Sequence, residues 1–166
     1  KVADFLPPEE ELTPVSTNEE LESFIEAQEA SIKYTSHPVL GMQACYVPGR
    51  DEIYIPPNEY FKTSEGRYAT IFHELSHWTG HRDRLNRPGI TGQKSREAYA
   101  YEELIAELAA ALVCNEFGIA ATLENHTSYI NTWISLLKGE GDKKYTLLKA
   151  FSEARKAKAH LFDNWR

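Results

Sequence analysis

Apolar residues recur along the chain with two spacings, one typical of helices and one typical of strands. The first helix is predicted to begin after Thr17, because Thr17-x-x-Glu20 has the form of a capping box, and to end near Ala30. One face of this helix carries Leu21, Phe24, Ile25 and Gln28. A stripe of this kind predicts a helix that packs one side against a core.

Three short segments that follow are rich in β-branched and aromatic residues, which favours strands. They are SIKYT at 31–35, QACYV at 43–47 and EIYIP at 52–56. The last two are joined by Pro48-Gly49-Arg50-Asp51, whose composition is typical of a turn. We therefore expect a small sheet that contains a hairpin.

Helical spacing returns after the strands. A helix is predicted from a cap at Ser64 to Gly80, a residue that suits the left-handed position after a helix. Residues 81–94 lack a helical pattern and predict a loop. Further helices are predicted from Ser95 to Gly118, at about 125–138 and at about 143–162. The pattern as a whole predicts an α+β fold in which these helices pack on the small sheet.

Composition indicates how many domains the chain contains and where the domain begins. The 166 residues, 42% hydrophobic and 26% charged, are typical of one soluble domain. No apolar run approaches the roughly 18 residues of a membrane span. Residues 1–16 combine three prolines with an acidic run, which predicts a linker or N-terminal arm before a single domain at 17–166. Because the chain opens on Lys1 without an initiator methionine or a leader-like segment, we expect a missing upstream region and a cytoplasmic protein.

The net charge of -7 is spread unevenly. Nine acidic residues stand against one lysine in 1–29, whereas five basic residues face one aspartate in 81–96. Overall acidity argues against a dedicated nucleic-acid surface, which needs concentrated positive charge. The basic segment favours a solvated loop over a nucleic-acid contact. Cys45 and Cys114 lack the spacing of metal ligands and predict reduced thiols.

Candidate chemistry is concentrated in HELSHWTGHRD at residues 73–83. His73 and His77 are four residues apart, so on a helix both imidazoles can face one zinc ion. Glu74 lies beside them, close enough to accept a proton from a zinc-bound water and pass it to a leaving amine. The spacing therefore predicts a hydrolytic zinc site with Glu74 as the catalytic base.

A third protein ligand has several candidates. Asp83 could swing back to the metal after the Gly80 bend, as a histidine does in metzincins, but those enzymes need a downstream methionine, and the sole methionine is Met42. Glu103 and Glu107 share one face of the next helix. There the first could bind the metal while the second accepts a hydrogen bond from a ligating histidine. Glu102 is a third choice.

His81 follows the predicted zinc helix directly. An imidazolium at a helix C-terminus is stabilised by the helix dipole, and this capping role is the favoured interpretation. Alternatively, His81 could polarise an oxyanion formed during hydrolysis.

Several motifs together resemble one family. FHELSHWTGHRDRLNR, preceded by IYIPP, EYF and RYATI and followed by YEELIAELAAALVC, resembles the metallopeptidase domain of ArdC-type antirestriction proteins and TraC-like conjugative primases. The likeness covers roughly residues 30–120. It implies a zincin-like fold, with His73, His77 and Glu103 as Zn²⁺ ligands and Glu74 as general base. It also implies a mobile-element protein whose single-stranded DNA contacts belong to an N-terminal domain missing from this chain.

Three functions are compatible with the sequence. The favoured one is a zinc metallopeptidase that cleaves a peptide or protein substrate, with the strand at 52–55 as an edge that pairs with the extended substrate. The alternative is a zinc-stabilised binding module for single-stranded DNA or a restriction-system protein. The third is a stability or dimerisation domain with a vestigial site.

Overall fold

A computed structural model describes residues 17–37, 39–92, 95–119, 130–132, 134–135 and 143–166. The elements, in chain order, are α1 (Glu19–Glu26), β1 (Ser31–Tyr34), β2 (Cys45–Val47), β3 (Glu52–Ile55), a 3₁₀ turn (Asn58–Tyr60), α2 (Ser64–Trp78), α3 (Pro88–Thr91), α4 (Arg96–Glu116) and α5 (Lys143–Trp165). The predicted α+β fold is confirmed. Most of the helix predicted at about 125–138 lies outside the described residues, and the described 130–132 and 134–135 are helical.

The sheet has three strands in the order β1-β3-β2. The hairpin prediction is confirmed, since β2 pairs antiparallel with β3, with Tyr46 opposite Ile53. On the other side β1 runs parallel to β3, with Ile32 opposite Ile53. The prediction that the strand at 52–55 is an edge is therefore wrong, because partners lie on both of its sides. Among the described residues the edges are β1 and β2.

Two helix starts differ from prediction by one residue. Asn18, not Thr17, caps α1, since its Oδ1 accepts from the backbone N–H groups of Glu20 and Leu21 at 3.0 and 3.3 Å. Thr63, not Ser64, caps α2 by accepting from Gly66 N–H at 3.0 Å. In both pairs the neighbouring residues have capping side chains, so composition alone does not choose between them.

The two glycines predicted to end helices behave differently. Gly118 has φ +70° after α4, the left-handed conformation expected there. Gly80 is not left-handed, which corrects the prediction. Its lack of a side chain matters for another reason, since a Cβ there would lie 2.8 Å from Arg87 Nη2 and 2.7 Å from Ile90 Cγ1. A larger residue at Gly80 would therefore displace the side chains of Arg87 and Ile90.

The core lies between the sheet and a layer formed by α2, α4 and α5. Phe24 of α1 is fully buried at its centre. Its ring meets Phe72, Phe117, Phe162 and Trp165 at centroid distances of 4.9–5.7 Å. A second cluster between α4 and α5 contains Ala109, Ala150, Ala154 and Ala157, whose small side chains let the two helices approach closely. None of the described helices is both long and apolar enough to span a bilayer.

Candidate metal centre

Two helices bring the candidate metal ligands together. His73 and His77 lie one turn apart on α2, and Glu103 faces them from α4. The Nε2 atoms of the histidines are 3.1 Å apart, and each lies 3.4 Å from a Glu103 oxygen. In a tetrahedral zinc site with bonds of roughly 2.0–2.1 Å, two ligand atoms lie about 3.3 Å apart. The three side chains therefore fit one divalent cation.

Each histidine meets a further carboxylate on the side away from this cluster. His73 Nδ1 lies 3.2 Å from Glu107 Oε1, although the angle falls short of a hydrogen bond. His77 Nδ1 lies 3.2 Å from Glu102 Oε1, in hydrogen-bonding geometry. Glu107 thus lies beside the outer nitrogen of His73, but the hydrogen bond predicted between them is not formed. The sequence suggested Glu102 only as a metal ligand. In the structure it faces Nδ1 of His77, on the side of the ring away from the cluster.

Glu102 is also bound to a residue that sequence reasoning missed. Arg87 donates to both Glu102 oxygens, through Nε at 3.0 Å and Nη2 at 2.6 Å. The same guanidinium donates to Thr79 Oγ1 and to the Ser76 carbonyl, both at 2.7 Å. Arg87 is 2% exposed. The prediction of a solvated basic loop is therefore wrong at this position.

Arg84, in the same segment, is half-buried and also paired. It donates to the Trp78 carbonyl at 2.6 Å and to Asp51 Oδ2 at 3.0 Å, and its guanidinium lies 3.8 Å from the Trp78 ring centroid. Asp51 belongs to the turn between β2 and β3. Arg84 therefore fastens the end of α2 to the hairpin, and two of the five basic residues are withdrawn from any nucleic-acid surface.

The clustered histidines and carboxylates stabilise one another's charged forms. Burial lowers the pKa of His77, but hydrogen bonds to Glu102 and Glu103 outweigh it and raise the pKa to about 9. Burial also lowers the pKa of His73, but the contacts with Glu103 and Glu107 outweigh it and raise that pKa. Burial raises the pKa of Glu103, yet its two histidine partners bring it far below its usual value. Protons and a divalent cation therefore compete for the same nitrogens.

Glu74 lies next to the cluster and is 7% exposed. Burial raises its pKa, while His73 and His77 act to lower it. A hydrogen bond from the Tyr46 backbone N–H ties the carboxylate to β2. A carboxylate with a raised pKa accepts a proton more readily than an ordinary glutamate. Glu74 is thus a buried carboxylate of raised pKa beside the cluster.

The two remaining candidates lie outside the three-residue cluster. His81 is buried, and its Nδ1 accepts from the Asp83 backbone N–H at 3.3 Å. The Asp83 side chain is 77% exposed and lies 3.4 Å from His81 Nδ1. Among the described residues, the group able to hold one ion consists of His73, His77 and Glu103. Glu103, rather than Asp83, is therefore the carboxylate that lies with the two histidines.

Tyr99 stands one helical turn before Glu103 on α4. Burial, followed by the charge and hydrogen bond of Glu103, raises the pKa of its phenol to about 12. Tyr101 instead packs against the cluster between α4 and α5.

A change of Asp51 to Asn tests the link between hairpin and loop. Burial raises the pKa of Asp51, but hydrogen bonds from Arg84 and Tyr46 bring it below the usual 3.8. A lowered folded-state pKa contributes stability above the unfolded value and loses it as pH falls through the folded one. We expect the stability difference between wild type and Asp51→Asn to be full at pH 7 and to shrink below about pH 4. Urea unfolding at several pH values measures it.

The exposed Asp163→Asn is the matched control for this change, and its stability difference from wild type should stay small at every pH. An Asp51→Asn difference that is equally large at pH 7 and pH 3 would contradict the ion-pair explanation.

With this geometry established, comparison with known proteins identifies the family. Residues 19–153 match the sequence profile of a family described as MPTase-PolyVal, zincin-like metallopeptidase. The chain belongs to the zincin-like metallopeptidase family. The zincin-like match runs from α1 into α5 and includes the three clustered side chains and Glu74.

Relatives of this zincin-like domain occur within larger proteins. A DNA primase TraC of Escherichia coli is 36% identical over 138 residues, covering 83% of this chain and 9% of the primase. A second Escherichia coli DNA primase TraC is 34% identical over 154 residues, covering 92% of this chain and 14% of the primase. The chain thus spans less than a sixth of either primase.

Among solved structures, the antirestriction protein ArdC of the R388 plasmid has the same fold. Its Mn(II)-bound crystal structure superposes with a TM-score of 0.73 at 35% identity, covering 98% of this chain and 58% of ArdC. The metal-free ArdC structure gives a TM-score of 0.72 over 92% of this chain. The predicted resemblance to ArdC-type and TraC-like proteins is confirmed.

Proposed function

We propose that this zincin-like domain is a metal-dependent peptidase. His73, His77 and Glu103 would hold a divalent cation, and zinc suits their two nitrogens and one carboxylate. The observation that carries the proposal is Glu74, a buried carboxylate with a raised pKa beside a cluster able to hold the ion. The Mn(II) bound in ArdC supports a divalent cation in this chain as well.

The chain's own residues account for the proton transfers. A bound divalent cation supplies the Lewis acidity that makes a water molecule reactive near neutral pH. Glu74 takes the proton of that water and returns it to the departing amine of the peptide bond. Its hydrogen bond with the Tyr46 backbone keeps the carboxylate oriented between the two events. The buried setting raises its pKa and so favours the first of these transfers, the uptake of the proton.

The sheet indicates where an extended substrate would lie. β2 is an edge strand among the described residues, and Tyr46, its central residue, contacts Glu74. An extended peptide can add to such an edge through main-chain hydrogen bonds. The substrate strand is therefore assigned to β2, in place of the strand at 52–55 that the sequence indicated.

The relatives suggest the biological setting. ArdC is an antirestriction protein of a plasmid, and TraC is a DNA primase. We place this domain in an antirestriction or conjugation protein of a mobile element, acting on a protein substrate. Contacts with single-stranded DNA are assigned to other parts of such a protein, because Arg84 and Arg87 are committed to internal ion pairs.

Removal and return of the metal test this function. The zinc-loaded domain is incubated with a pool of quenched fluorescent peptides, and cleavage products are identified by mass spectrometry. We expect cleavage that a chelator abolishes and that stoichiometric Zn²⁺ or Mn²⁺ restores, because the attacking water depends on the ion.

The activity should elute with the domain on gel filtration, which separates it from contaminating proteases. Cleavage that survives chelation, or a fully loaded domain that cleaves no peptide or candidate protein, would reject the peptidase assignment.

A further inference from the structure

The inner side of the metal cluster contains a buried ion pair that the proposed chemistry does not use. Glu102 lies between His77 and Arg87, with Oε1 at 3.2 Å from His77 Nδ1 and 2.6 Å from Arg87 Nη2. Glu102 and Arg87 are 3% and 2% exposed. We propose that Glu102 positions His77 for metal binding and that Arg87 holds Glu102 in place. This inference rests on the metal site of the proposed function but not on peptide hydrolysis.

The position of Glu102 determines which nitrogen of His77 is available to the ion. Glu102 as a carboxylate can only accept, so the facing Nδ1 of His77 must carry the proton. The lone pair of Nε2 then points towards His73 and Glu103, which lie 3.1 and 3.4 Å away. A carboxylate partner of this kind fixes both the tautomer and the ring orientation of a ligating histidine.

Arg87 fixes the position of the Glu102 carboxylate. A buried carboxylate needs hydrogen-bond donors for its oxygens. Arg87 supplies two N–H groups to Glu102 and two more to Thr79 and Ser76, beside the C-terminal end of α2. The contacts close a ring, from His77 on α2 to Glu102 on α4, to Arg87, and back to α2.

At Gly80 and Gly89 the backbone lies close to the Arg87–Glu102 ion pair. A Cβ at Gly89 would lie 2.6 Å from Glu102 Cβ, and one at Gly80 would lie 2.8 Å from Arg87 Nη2. Any side chain at either glycine would therefore collide with Glu102 or Arg87. The backbone at these glycines thus lies close against the ion pair.

A second ion pair on α2 provides the matched control. Arg67 is 3% exposed and binds Glu22 at 2.6 Å, and Glu22 also accepts from the Tyr68 hydroxyl at 2.8 Å. This pair joins α1 to the beginning of α2, two turns before His73, and contacts none of the cluster side chains. Removal of its charge measures what the loss of a largely buried ion pair does to the domain in general.

The experiment compares Glu102→Gln and Arg87→Lys with Glu22→Gln. Zinc affinity is measured by competition with a chromogenic chelator, the ligand geometry by the visible spectrum of bound Co²⁺, and the stability of the metal-free domain by urea unfolding. We expect Glu102→Gln to weaken zinc binding roughly 10- to 100-fold and to change the Co²⁺ spectrum. Arg87→Lys keeps the charge but not the fork of donors, and should weaken binding by less. Glu22→Gln should lower stability alone.

A purely structural role would give a different result. In that case Glu102→Gln and Glu22→Gln would both destabilise the domain, with zinc affinity and the Co²⁺ spectrum as in wild type, and the proposal would be overturned. If Glu102→Gln does not fold, Arg87→Lys decides by the same two metal readouts. A wild-type domain that binds zinc but cleaves nothing would reject the proposed function and leave this comparison intact.

Discussion

Glu103→Ala is expected to leave the purified domain without metal. Glu103 is the ligand proposed from α4, and its Oε2 and Oε1 lie 3.4 Å from Nε2 of His73 and of His77, respectively. Without it, two imidazoles on one helix remain, which is fewer than the three protein ligands of a catalytic zinc site. The loss of affinity should exceed the roughly 10- to 100-fold that removal of an outer partner causes. Metal content after gel filtration, measured by mass spectrometry, and chelator competition quantify it.

Asp83→Ala is the matched comparison for this variant. It removes the carboxylate that competed with Glu103 in the sequence, and its side chain is 77% exposed beside His81. We expect one zinc ion per chain to be retained, with wild-type affinity. Loss of metal in Asp83→Ala together with retention in Glu103→Ala would reverse the ligand assignment.

Helical periodicity accounts for the part of the site that could be predicted. His73 and His77 depend only on the geometry of one helix, and four-residue spacing puts them on one face wherever that helix lies. Glu103 and Glu107 share a face for the same reason, and the structure turns that face towards α2. Residues that act together within one element are therefore accessible to sequence reasoning.

The position of Glu102 could not be predicted in this way. It lies one residue from Glu103, about 100° around the helix, so its role depends on what packs at that angle. Here the neighbours are His77 and Arg87, the latter from a loop that shows no periodicity. Only the tertiary arrangement brings the three together.

The same dependence on tertiary contacts explains why the pairing of Arg84 and Arg87 and the central position of β3 were not predicted. Arg84 and Arg87 occur in a glycine-containing polar segment, which is typical of solvated loops. Their burial depends on Asp51 and Glu102, which lie 33 and 15 residues away in sequence. Likewise β3 becomes central only because β1 pairs with it in parallel, a long-range contact that local alternation of residues does not encode.

Arg84 and Arg87 also connect the metal cluster to the rest of the fold. Arg84 joins the end of α2 to the hairpin turn at Asp51, and Arg87 joins the same region to α4 through Glu102. The short segment after α2 thus binds two elements that pack beside α2. One is α4, which carries Glu103, and the other is the hairpin formed by β2 and β3. Arg84 and Arg87 thus contribute to the geometry of the centre.

Glu74→Gln is expected to abolish hydrolysis while leaving the metal in place. The amide keeps the size of the side chain but cannot accept a proton from water, so turnover should fall roughly 10²- to 10⁴-fold. Zinc affinity should be unchanged, because the ion is assigned to His73, His77 and Glu103. Peptide cleavage rates and metal content are measured on the same preparation, which separates chemistry from metal loss.

Glu65→Gln, the same change at an exposed position in the first turn of α2, is the matched control and should retain full activity. Because Glu74 is buried, its replacement by a neutral side chain removes a desolvated charge and should not destabilise the metal-free domain as severely as the loss of a paired group. A Glu74→Gln domain that binds zinc and cleaves peptides at the wild-type rate would remove Glu74 from the mechanism. It would leave the cation with a structural role.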